Sequence, residues 1–147
     1  MSRVLISEST GAAVYVFSDD HCPPHVHARH RGDGWIARVR FSYLGSSVEL
    51  MSVAPLKNSP LQRTVKRLLA DIEAGLPACR RSWWVTKRRA TCLVNQWAAV
   101  LATGQIELSS EPLASAKQIV DATYDPDQRR LRLAFQDGTT ADVSTQQ

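Results

Sequence analysis

HVHARHRGDGWIARVRFSYL, residues 25 to 44, decides the fold class. Two runs flank Gly32-Asp33-Gly34, a hairpin signal. In the second run Trp35, Ala37, Val39 and Phe41 alternate with Ile36, Arg38, Arg40 and Ser42. A period of two places the first set on one face of a strand and the second on the other. Outward from this pair the pattern persists. VLIS (4–7) and AAVYVF (12–17) are rich in β-branched and aromatic residues and flank a turn at Thr10-Gly11. Gly45-Ser46 turns into SVELMSV (47–53). The N-terminal half therefore predicts a mainly antiparallel sheet with one face packed.

At Ser59-Pro60 the period changes. Ser59 suits a helix cap and Pro60 its first position. Leu61, Val65, Leu68, Leu69, Ile72 and Leu76 then recur at helical spacing, with Arg63, Lys66 and Arg67 pointing away. Gly75 suits a helix end and Pro77 a helix start. A second helix is expected over about 78–103, with Cys79, Trp83, Ala90, Leu93, Val94, Trp97 and Leu101 as its apolar stripe and Gly104 as its stop. Residues 105–117 read as a polar linker. QIVDATY, RRLRLAF and TTADV, separated by Asp125-Pro126-Asp127 and Asp137-Gly138, read as a three-stranded meander. The expected fold is α+β: an N-terminal antiparallel sheet packed against two helices (1–104), a linker (105–117) and a small C-terminal meander (118–147). Three such strands rarely hold themselves up, so they should dock on the first domain or on another chain.

At 147 residues, 44% apolar and 22% charged, the chain fits one soluble domain with a small appendage. No apolar run is long enough to span a bilayer, and MSRVLISEST lacks the apolar stretch of a signal peptide. A cytoplasmic protein with no membrane partner is expected. Cys22, Cys79 and Cys92 are odd in number and widely spaced, which does not read as a disulfide framework. Residues 1–105 carry 14 Lys/Arg against 7 Asp/Glu, whereas residues 106–147 carry 4 against 7. Either the basic body attracts a polyanion such as RNA or DNA, or the acidic tail covers it.

The four histidines, His21, His25, His27 and His30, all lie in DDHCPPHVHARH (19–30). Pro23 and Pro24 stiffen the entry to HVHARH. As a strand, this stretch puts His25, His27 and Arg29 on one face. Three readings are open. His25 and His27 can hold a divalent metal such as zinc, with Asp20, His21 or Cys22 completing the shell. They can instead exchange protons around a phosphodiester, oriented by Asp20, while Arg29 or Arg31 stabilises the anion. Or they are edge-strand histidines bonded to turn carbonyls and Asp20.

A second candidate surface is the face holding Arg80, Trp84, Lys87 and Arg88. Its cations can track phosphates while Trp84 stacks on a base. The alternative is a solvated helix face with a packed tryptophan. Cys79 and Cys92 read as small buried hydrophobes.

Asp20-His21-Cys22-Pro23-Pro24-His25-Val26-His27 resembles the D-H-x-P-P-H-x-H signature of a small bacterial domain family of unknown function, over roughly residues 10–100. Cys22 fills the variable position of that motif. The tail resembles a second small bacterial family through Ala122, Tyr124, Asp127, Leu131, Leu133, Phe135, Asp137 and Gly138. Genes of the two families often lie side by side and look like a toxin–antitoxin pair. The resemblance implies a toxin-like body fused to an antitoxin-like tail, which can act on its own chain, on an antitoxin-like partner or through self-association of the C-terminal strands. It supplies no reaction. Taken with the basic body, the expectation is a protein that binds or cleaves RNA, moderated by its acidic segment. A non-catalytic interaction module and a metal-stabilised binding domain are the alternatives.

Overall fold

The computed structural model describes residues 1–145. It is an α+β fold built from two antiparallel sheets and two helices. The first sheet is a five-stranded meander in chain order: β1 (Ser2–Ile6), β2 (Ala13–Val16), β3 (His25–His30), β4 (Trp35–Arg40) and β5 (Glu49–Ala54). The hairpin at 31–34 closes with His30 opposite Trp35, so Val26 faces Val39 and Ala28 faces Ala37. These apolar pairs, with Val14 and Val16 of β2, are fully or almost fully buried. The alternation of the opening stretch is thus realised as one packed face.

Pro55 leads into a single 3-10 turn, Leu56–Asn58, whose carbonyl at Leu56 accepts the Ser59 N–H. Ser59 closes this turn instead of capping a helix, so α1 (Gln62–Ala74) begins later than the Ser59-Pro60 signal suggests. Leu68 and Ile72 are its buried residues. Gly75 alone separates α1 from α2 (Leu76–Thr86). A Cβ at Gly75 would lie 2.3 Å from Leu5 Cδ2, so the helix junction presses on β1 where only glycine fits without displacement.

The long second helix expected over 78–103 is not formed. α2 ends at Thr86, and Arg88, Arg89, Cys92 and Asn95 all take left-handed backbone conformations that no helix accommodates. Trp97, read as part of a helical stripe, opens β6 (Trp97–Val100). Gly104 turns β6 into β7 (Ile106–Ser109), within the segment expected to be a linker. The meander is present as β8 (Lys117–Asp125), β9 (Arg130–Phe135) and β10 (Thr140–Ser144), and β6 joins it by pairing with β8. The second sheet therefore has five strands in the order β10-β9-β8-β6-β7.

One apolar cluster runs through both sheets and both helices, including Trp35, Tyr43, Leu68, Ile72, Trp83, Ile119, Leu131 and Leu133. The C-terminal strands dock within their own chain. Tyr124 of β8 meets Tyr43 edge to face at 4.8 Å, and Trp84 at 6.2 Å. No helix among the described residues is long and apolar enough to cross a membrane.

Candidate functional site

β3 aims His27 and Arg29 at the face of the first sheet opposite Val26 and Ala28. His25, at its first position, lies on the same side and packs against Trp83, with ring centroids 5.5 Å apart. The two imidazoles are neighbours, with centroids 5.1 Å apart. Asp20 comes to them from the 18–24 loop. Phe17 N–H donates to Asp20 Oδ2 over 2.9 Å, which leaves Oδ1 pointing at the rings. His27 Nε2 donates to Oδ1 over 2.9 Å, and His25 Nε2 lies 3.5 Å from the same atom. His25 Nδ1 donates to the Pro23 carbonyl over 2.8 Å. The Asp20, His25 and His27 side chains are 9%, 7% and 19% exposed, so the cluster is sheltered and opens to solvent mainly at His27.

The loop carrying Asp20 is held from several sides. Phe41 N–H donates to Pro24 O over 3.0 Å, and Lys87 Nζ donates to Ser18 O over 2.7 Å. Cys22 forms a disulfide with Cys92, their Cα atoms 5.7 Å apart. This corrects two expectations. Cys92 is not a free buried hydrophobe, and Cys22 has no thiolate to offer a metal. An odd cysteine count and a separation of 70 residues concealed a pair that only the tertiary fold brings together. Cys79 is free and buried, and burial pushes its thiol up to about 12.

Of the residues expected at the site, Asp20, His25 and His27 come together. Arg29 shares their face and is exposed. His21 is exposed and outside the cluster, so Asp20 replaces it as the third potential ligand. His30 is structural: its Nδ1 accepts the Asp33 N–H over 2.9 Å and its ring stacks on Trp35 at 5.4 Å.

The basic helix is also corrected. Arg80 is 1% exposed, and its guanidinium is spent on three backbone carbonyls: Ser42 (3.0 Å), Thr145 (3.0 Å) and Gly45 (2.6 Å). Trp84 is 9% exposed and packs on Tyr124, so neither residue is open to a nucleic-acid strand. Lys87 anchors the Asp20 loop and lies 5.8 Å above the Trp83 ring. Arg88 is exposed in the turn after α2, off the helix.

The sheet instead offers cationic and aromatic groups beside the histidines. Tyr15 of β2 and Arg38 of β4 lie directly opposite His27 on either side, and Arg40 lies opposite His25. Residues opposite each other in adjacent strands share a face. Phe17 meets the His27 ring edge-on at 4.6 Å. Arg38 Nε donates to Ser52 Oγ over 2.9 Å, and Arg40 pairs with Glu49. Counting back from the Gly32-Asp33-Gly34 turn places Arg38 against His27, so this row carried a sequence signal. A groove of about 630 Å³ lined by both cysteines of the disulfide shares Arg40, but none of Asp20, His25 and His27 lines it.

Comparison with family models, with curated proteins and with solved structures finds no match for this chain.

Proposed function

We propose that this protein binds single-stranded RNA on the outer face of its first sheet and cleaves it at the Asp20–His25–His27 cluster. The observation that carries this reading is the cross-strand row Tyr15–His27–Arg38, with Asp20 bonded to its central imidazole. A sheet face bearing aromatic rings and arginines suits unpaired nucleotides: rings accept bases, and guanidinium groups accept phosphates. Arg29, Arg38 and Arg40 would hold the backbone. His27 would then be the group best placed to move a proton at a phosphodiester, with Asp20 fixing its orientation.

The acidic strands enter this reading in a specific way. Asp127 pairs with Arg81 of α2 over 2.7 Å, so part of the tail's charge is already seated on helix cations. The tail would leave the sheet face as the preferred path for RNA. A toxin-like activity of this kind agrees with the family that the D-H-x-P-P-H-x-H motif resembles.

The test uses the full chain and a short labelled single-stranded RNA. Binding should weaken as salt rises, because each phosphate contact releases counterions. Arg38→Ala with Arg40→Ala should lower affinity and flatten the salt slope. His27→Ala should abolish cleavage while leaving binding in place. RNA affinity indifferent to salt and to both arginines would overturn the proposal and favour the protein-interaction module.

A further inference from the structure

The geometry points to Asp20, His25 and His27 as a binding site for one divalent transition ion of the zinc class. The Pro23 carbonyl can only accept, so His25 Nδ1 carries the proton of that bond. The His25 Nε2 atom faces the Asp20 carboxylate oxygen at 3.5 Å.

At His25 the spacing fits an ion better than a hydrogen bond, and at His27 it suits either. A charge-assisted N–H···O contact runs to about 2.7–2.9 Å. Two ligands each about 2.1 Å from one ion lie roughly 3.0 Å apart at an octahedral edge and roughly 3.4 Å apart at a tetrahedral one. The Asp20 Oδ1 separations, 2.9 Å to His27 and 3.5 Å to His25, bracket that range. The three donor atoms all lie within 4.8 Å of one another, and the two imidazole nitrogens would settle at roughly 3.0–3.4 Å around one ion. His27 needs only to carry its proton on Nδ1 to free Nε2 for the ion.

The surroundings match what metal-bound imidazoles and carboxylates require. His25 donates its other ring N–H to a backbone carbonyl, and Asp20 Oδ2 accepts a backbone N–H, so both groups are held in orientation. Two imidazoles and one carboxylate favour a borderline ion such as zinc or iron over magnesium or calcium. Three protein ligands leave coordination positions open toward the side where His27 is exposed, which is the arrangement of a catalytic rather than a sealed site. This rests on the RNA reading and amends one role in it: with Nε2 on the ion, His27 holds the metal instead of moving the proton, and the ion would face a phosphate held on the arginine row.

The test is metal binding itself, measured on chelator-stripped full-length protein. Titration with Co²⁺ should give saturable visible absorption at one equivalent, and Zn²⁺ should displace it. Asp20→Asn and His27→Gln should each weaken binding by at least about 10-fold with the circular dichroism spectrum unchanged. Asp20→Asn keeps the side chain's size, so it carries the test if changes at buried His25 impair folding. No saturable site in folded wild-type protein, or equal affinity in both variants, would overturn the inference. The two proposals separate cleanly: RNA binding in protein with no saturable metal site would sink the ion and keep the RNA, and stoichiometric metal without RNA binding would do the reverse.

Discussion

Arg80 Nη1 donates to the carbonyl of Thr145 over 3.0 Å, joining α2 to the strand end 65 residues later. The same guanidinium serves Ser42 and Gly45, so one buried cation holds the corner after β4, the central helix and the last described residue. Burial lowers its affinity for the proton, and the three carbonyls compensate for its desolvation. Arg80→Met removes all three donors and leaves the carbonyls unpaired. The expected loss is about 3 kcal/mol, read as a lower urea midpoint. Arg80→Lys should recover little, because a point ammonium cannot span three divergent acceptors.

The Cys22–Cys92 bridge closes a loop of 70 residues. Constraining an unfolded loop of that length contributes about 4 kcal/mol in the chain-entropy account. Cys22→Ser with Cys92→Ser should therefore lower the thermal midpoint markedly. Adding reductant to wild-type protein should reproduce the shift, and reductant should not move the variant. A midpoint unchanged by reductant would show that the bridge contributes nothing to stability.

Asp71 of α1 accepts from the Ser7 hydroxyl at 2.7 Å and from the Ser9 hydroxyl at 2.6 Å, which fastens the β1–β2 turn to the helix. These bonds, Ser9 first, hold its carboxyl below the usual range. A carboxylate whose folded value is depressed stabilises fully above its unfolded value, near pH ~4, and loses that contribution as pH falls through the folded value. Asp71→Asn should thus cost under about 1 kcal/mol at neutral pH, given its partial exposure. The gap between variant and wild type should close below about pH 4 in acid-unfolding curves. A gap that widened in acid would contradict the assignment.

Among the described residues, the Tyr124 hydroxyl is buried without a hydrogen-bond partner. Tyr124→Phe keeps the edge-to-face contact with Tyr43 and removes a desolvated oxygen. Stability should hold or rise by about 1 kcal/mol. A clear loss in denaturant titration would indicate that the hydroxyl does find a partner.

Much of the first sheet was legible because alternation and turn chemistry act locally: Trp35, Ala37, Val39 and Phe41 announce one face, and Gly32-Asp33-Gly34 fixes what lies opposite. The stretch 87–96 was not. Arg88, Arg89, Cys92 and Asn95 adopt left-handed backbone with no glycine to mark it. The apolar residues on either side happen to fall at helical spacing, and a run as short as WAAV does not distinguish strand from helix. At the site, period two paired His25 with His27, yet it could not choose between Asp20 and His21. The Phe17 N–H makes that choice by turning the Asp20 carboxylate inward. Arg80 shows the same limit more sharply. Read along the chain it is a surface cation, and only the topology supplies the three carbonyls that draw it inside.

The contact between Tyr43 and Tyr124 ties the acidic tail to the basic body. Side chains of both halves meet there with no solvent layer between them. The acidic tail is therefore packed into the same apolar cluster as the basic body. Cutting the polypeptide between the two would strip apolar surface bare on each, so the tail is a permanent fitting of the molecule.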